Sequence, residues 1–132
     1  MGDLSENFSH EELDCQCGCG LTPTPRFVGR LERLRFSFDR PIYVNSGMRC
    51  PIHDASVHRA RNPSFTEVRR YGSHTIGAVD VKVTGEDAAD LCEFALRDSW
   101  TWRGIGVHQS GPSHQEFLHL DDIEGDRRFW SY

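Results

Sequence analysis

Val79, Val81 and Val83 alternate with Ala78, Asp80 and Lys82, directly after Gly72-Ser73-His74-Thr75-Ile76-Gly77. A period of two marks a strand, and its valine side must be buried, so Asp80 is left on the opposite face. A second segment far down the chain, Glu116-Phe117-Leu118-His119-Leu120-Asp121, again sets a histidine and carboxylates among apolar residues. The fold has to hold these two segments against each other.

The rest of the chain supplies the frame. Ser9 and Glu12 form a capping box at a helix start, with Phe8 and Leu13 as the hydrophobic staple. Thr24 caps a second helix with Pro25 at its first position, and Phe27, Val28, Leu31, Leu34 and Phe38 form its buried stripe. Pro41 to Asn45 reads as a strand ending at Ser46-Gly47. His53 to Arg61 supports a helical turn or two, followed by a long loop to residue 72. Thr84 with Asp87 starts a third helix, with Ala88, Leu91, Cys92 and Ala95 on its inner stripe. Gly104 to Val107 is a short strand. The turn from Gln109 to His114 is too short for a parallel crossover, so the strands on either side of it run antiparallel. The expected fold class is α+β, a small antiparallel sheet with flanking helices.

At 132 residues the chain is expected to form a single domain, 1–132, and to act as a monomer. A net charge of −5 and the lack of a basic stripe argue against a nucleic-acid partner. The arginine-rich stretch from Arg59 to Arg70 is broken by Asn62, Pro63, Ser64 and Glu67 and reads as a solvated loop. No apolar run reaches membrane-spanning length, and the first residues lack the pattern of a signal peptide.

His74, Asp80 and His119 together supply two nitrogens and one oxygen, the donor set of a catalytic zinc site with one position left open. A general base has to reach the attacking water. Glu116, three residues before His119, leads, although on an ideal strand the two face opposite sides and the chain must bend to bring them together. Asp121 shares the face of His119 and competes for the role; its other reading is an acceptor that orients the imidazole.

Ser46-Gly47-Met48-Arg49-Cys50-Pro51, Ser73-His74 through Asp80, Gly104-Ile105-Gly106-Val107 and Phe117-Leu118-His119-Leu120-Asp121 occur in that order. Together they resemble the zinc D-alanyl-D-alanine carboxypeptidases, especially the small phage and prophage members that cleave peptidoglycan peptides. The segment from Asn7 through Cys19 is similar to the phage type as well. The resemblance implies a hedgehog-like α+β fold and zinc on His74, Asp80 and His119. It also implies substrate contacts from Arg49 and Ser73, with Arg49 steadying the tetrahedral oxyanion and Glu116 as base. The substrate would be a peptidoglycan stem peptide, cut by a carboxypeptidase or an endopeptidase, and the protein would act on the cell wall.

The sequence departs from that pattern at one place. Only five residues separate His74 from Asp80, where the family usually has six, and Gly77 is the residue expected to absorb the difference through unusual backbone angles. The shortened spacing supports an alternative, a non-catalytic metal-binding or wall-binding phage module with the same fold. Cys15, Cys17, Cys19 and Cys50 can be drawn as a second, structural zinc site, but the Cys-x-Cys spacing favours free or paired thiols. Cys92 reads as a small buried hydrophobe. His10, His53, His58, His108 and His114 read as surface or satisfied residues, and the three tryptophans as core or rim.

Overall fold

The computed structural model describes residues 2–64 and 72–132. The elements run α1 (His10–Leu13), α2 (Pro25–Phe38), β1 (Tyr43–Ser46), α3 (Pro51–Arg61), α4 (Ser73–Ile76), β2 (Ala78–Lys82), α5 (Gly85–Arg97), β3 (Gly104–His108), a 3-10 turn (Ser113–Gln115), β4 (Phe117–Asp121) and β5 (Arg128–Ser131). This is the expected α+β class, with helices flanking one five-stranded sheet of order β1-β2-β4-β3-β5. The pairs β1·β2, β2·β4 and β3·β4 are antiparallel. Residues 128–131, which carried no strand expectation, add β5 parallel to β3, so the sheet is mixed.

Local signals set the helices. The Ser9–Glu12 capping box is formed in both directions and starts α1. Thr24 Oγ1 accepts from the Phe27 backbone N–H at 3.1 Å, and Pro25 opens α2. All five residues of the expected α2 stripe are buried. Each such side chain contributes roughly 1.5–3 kcal/mol of transfer free energy, and the stripe joins α2 to the buried core shared with α5 and the sheet. Thr84 stands at the N-cap of α5 as expected, but its side chain makes no cap bond; Asp87 instead accepts from Arg40 at 2.6 Å. The region after Pro51 forms an eleven-residue helix rather than a turn or two, with the Cys50 side chain accepting from the His53 N–H at its start. The expected loop through residues 65–71 lies outside the described residues.

The core sits on one face of the sheet. Val79, Val81, Leu118, Leu120 and Ile105 pack there with Phe27, Leu31, Leu91 and Trp102, all of them buried. Of the tryptophans, Trp102 is core, Trp100 is 90% exposed and Trp130 is half-buried. The opposite face is also largely buried, but it carries charge.

Candidate metal centre and its cleft

Strand parity assembles the charged face. The register places Asp80 opposite His119, His119 opposite Gly106 and Gly106 opposite Trp130, one row across four strands. The next row is Ala78, Asp121, Gly104 and Arg128. The glycines of Gly104-Ile105-Gly106 make room for it. A Cβ at Gly104 would run into the Asp121 carboxylate, and one at Gly106 would stand 2.6 Å from the Trp130 ring.

His74 reaches the same point from α4. Its Nδ1 lies 2.8 Å from the Gly47 carbonyl, which leaves Nε2 turned towards Asp80 Oδ2 at 3.4 Å. His119 is held the other way round, with Nε2 2.9 Å from Asp121 Oδ2 and Nδ1 3.1 Å from Asp80 Oδ1. Each imidazole thus has one nitrogen occupied by an orienting acceptor and the other facing the Asp80 carboxylate. The donor atoms of His74, Asp80 and His119 all lie within 4.8 Å of one another, and all three residues are buried. Two nitrogens and one oxygen converging from fixed ring orientations suit a divalent metal with an open position.

The electrostatics point the same way. Burial pushes the Asp80 carboxyl up, but hydrogen bonds from His119 and His74 outweigh it and hold the group well below the usual carboxylate range. Burial lowers His119, and its bonds to Asp121 and Asp80 more than reverse this, raising it above 6.5. In the metal-free molecule a proton therefore compensates charge where a cation would stand.

The shortened His74–Asp80 spacing does not separate the two side chains. The α4 turn between them shortens the path, and Gly77 continues it with φ 177°, ordinary extended backbone. Gly77 is therefore needed for space rather than for an unusual angle. A Cβ there would stand 2.8 Å from Asp122 Oδ1, and Asp122 is fixed by Arg30 at 2.8 Å.

The cluster opens into a cavity of about 210 Å3 whose lining includes Arg49, Asp54, His58, Arg61, Ser73, Trp130 and Tyr132. Arg49 is 6% exposed, and its backbone N–H donates to the His74 carbonyl at 2.8 Å. Its side chain donates to Ser46 Oγ at 3.0 Å, Asp54 Oδ1 at 3.2 Å and Asp80 Oδ2 at 3.4 Å. Asp54 Oδ1 also lies 3.4 Å from His58 Nε2, one helical turn along α3. The ring of Trp130 lies 5.1 Å from that of His119.

Arg49, Ser73, His74, Asp80 and His119 are thus brought to one cavity, and Glu116 is not. The bend that its assignment required is absent. Glu116 is extended (φ −80°, ψ 136°) and lines a separate cavity with Ala88, Cys92, Leu118 and Phe129, on the core face of β4. Asp121 adjoins the cluster but is fully buried, with Oδ2 accepting from His119 and Oδ1 from Arg128 Nη2 at 2.8 Å and from the Ile123 N–H at 3.2 Å. With both oxygens committed, Asp121 orients His119. The sequence reading missed the Asp54–His58 pair, whose i, i+4 spacing was visible, and Trp130 and Tyr132, which arrive only through the parallel pairing of β5.

No curated protein matches the chain significantly. The family model of peptidase M15 matches residues 6–121, a span that includes every residue of the cluster and its supporting Asp121. On that match the chain belongs to the peptidase M15 family.

Proposed function

We propose that the protein, by its family a metallopeptidase with a peptide substrate, is a zinc enzyme hydrolysing the stem peptides of bacterial peptidoglycan, and that residues 1–132 act as one monomeric domain. The observation that carries the reading is the convergence of His74 Nε2, Asp80 and His119 Nδ1 beside a buried arginine. Zinc bound there would supply a Lewis acid that polarises the scissile carbonyl and makes water more acidic.

The chain's own groups do the rest. Arg49 and Arg61 give the cleft positive charge against a peptide carboxylate, and Arg49, held by Ser46, Asp54 and Asp80, is preorganised to donate to an oxyanion. Asp121 and the Gly47 carbonyl fix the two imidazoles. Ser73, at the start of α4 on the cavity wall, is placed to contact the substrate backbone. With Glu116 behind the sheet, His58 is the imidazole on that wall outside the metal cluster, and Asp54 orients it. We assign proton acceptance to His58, the side chain type whose ordinary pKa best suits the task near neutral pH.

The test is incubation of the full chain with purified muropeptides, with and without a chelator. Chelator-sensitive release of D-alanine or of shorter stem peptides is expected, and the released fragment reads carboxypeptidase against endopeptidase. Intact muropeptides with zinc bound would instead support the non-catalytic module, the reading favoured by the position of Glu116.

A further inference from the structure

A second group of potential ligands lies outside the cleft. The sulfur atoms of Cys15, Cys17, Cys19 and Cys50 all fall within 4.8 Å of one another. We propose that these four cysteines form a structural tetrathiolate zinc site that fastens the N-terminal segment to the start of α3.

Geometry separates this from the other fates of clustered thiols. The Cys15–Cys17 and Cys17–Cys50 sulfur distances are 3.4 Å and 3.6 Å, far beyond a disulfide bond of about 2.05 Å. A tetrahedron with metal–sulfur bonds of about 2.3 Å has sulfur–sulfur edges of about 3.8 Å, so the spacing suits a single ion at the centre. A multi-iron cluster with bridging sulfides would need its cysteines farther apart. Four thiolate ligands in a closed shell match zinc among the divalent metals.

The backbone is shaped for the same purpose. Gly18 and Gly20 have φ of 78° and 87°, and a Cβ at either would meet nothing within 4 Å. Glycine is needed there for the left-handed turn and not for space. An extended Cys-x-Cys strand would hold its side chains parallel on one face, roughly 6.6 Å apart, whereas the left-handed turn at Gly18 lets Cys17 and Cys19 converge. The Cys15 N–H donates to the Leu21 carbonyl at 2.9 Å and closes the loop. Backbone N–H groups also point at the sulfurs, that of Cys50 at Cys15 (3.3 Å) and that of His53 at Cys50 (3.4 Å), and so fix the direction of both side chains. Cys50 directly follows Arg49, so an ion here would hold the backbone that carries the cleft arginine.

The full chain is purified after expression with zinc and treated with a thiol reagent. We expect only Cys92 of the five cysteines to react until a chelator is added, and the other four to react afterwards. In Cys19→Ser, an exposed position that would tolerate the change if its thiol were free, the zinc content should roughly halve and the thermal midpoint fall; Cys92→Ser should alter neither. Cobalt loaded into a His74→Ala, His119→Ala variant should give thiolate charge-transfer bands. Immediate reaction of all five thiols, a mass lower by two hydrogens per cysteine pair, or an iron–sulfur absorption spectrum would each overturn the proposal.

Discussion

Asp121→Asn puts the cleft geometry to its sharpest test, because the change is nearly isosteric and falls at a residue with no exposed surface. The carboxylate uses both oxygens as acceptors, Oδ2 for His119 Nε2 and Oδ1 for Arg128 Nη2 and the Ile123 N–H. An asparagine has one oxygen. If it faces Arg128 and Ile123, the NH2 group meets His119 Nε2, which must then accept, so the ring proton moves to Nδ1 and blocks the nitrogen turned towards Asp80. If it faces His119, the NH2 group opposes the Arg128 and Ile123 donors. In the first orientation every donor keeps an acceptor, but His119 gives up its charge-assisted bond and holds its proton on the wrong nitrogen for a metal; in the second, Arg128 and Ile123 lose their acceptor.

Loss of an orienting carboxylate behind a metal-bound histidine typically weakens metal affinity about 10–100-fold, or about 1.4–2.8 kcal/mol. The metal-free protein should lose a further term of about 1–3 kcal/mol, for the charge-assisted bond to His119 in the first orientation or the unmet donors in the second. That range is taken at its lower end because the Arg128 side chain is 41% exposed and screened by solvent. At about 4 °C per kcal/mol for a chain of this size, the midpoint in chelator should fall by about 4–6 °C. Zinc competition against a chromophoric chelator, together with thermal unfolding in the presence of chelator, reads the two terms separately. Wild-type zinc affinity in Asp121→Asn would refute the argument that Asp121 fixes the His119 tautomer.

Two further outcomes follow from the same geometry. Glu116→Gln should leave muropeptide turnover unchanged, whereas His58→Gln should lower kcat by about 10²–10⁴-fold with zinc content intact; the reverse pattern would mean that the end of β4 bends into the cleft on substrate binding. The pH dependence of the metal-free protein has a defined sign. His119 is raised above 6.5 on folding, so its contribution is complete below that value and is lost as pH rises through the folded pKa. Asp80 is lowered from 3.8, so its contribution is present above that value and is lost as pH falls. Denaturant titrations in chelator should therefore show greatest stability between about pH 4 and pH 6.5, and a maximum well above pH 7 would contradict the charge assignments.

What the sequence made legible was local. The α2 stripe, the two caps ahead of α1 and α2, and the valine alternation of β2 depend on neighbours within a few residues, and the structure shows them as read. Parity also placed His119 and Asp121 on one face of β4 and Glu116 on the other. The resemblance drew Glu116 back to the cleft against that parity, and here the strand period prevailed. The parts that stayed hidden are non-local. β5 is a strand because Gly104 to Val107 offers it a parallel edge, and only that pairing lays Trp130 over Gly106 against His119. The four cysteines could be drawn together from the sequence, but the Cys-x-Cys spacing argued for free or paired thiols, and only the fold shows their sulfurs gathered about one point.

The two candidate metal sites differ in what holds them together without an ion. In the cleft, the Asp80 carboxylate already has His74, His119 and Arg49 around it, and its own strand pairs with β4 along the whole length of β2. That arrangement is fixed by the sheet and by mutual hydrogen bonds, so removing metal exchanges one compensating charge for a proton and leaves the ligands in place. The cysteine loop has no such support. Cys17 and Cys19 are exposed, and residues 14–24 belong to no helix or strand. A loop of this kind gains order from the ion itself, as small metal-stapled modules do. Chelation should therefore silence the cleft while sparing its geometry, and loosen the N-terminal segment together with the backbone next to Arg49. Because Cys50 adjoins Arg49 in the chain, recovery of activity on adding zinc back should be complete only after the cysteine site is refilled as well as the cleft, and full recovery with the cysteines still empty would show that the side-chain partners of Arg49 alone hold it.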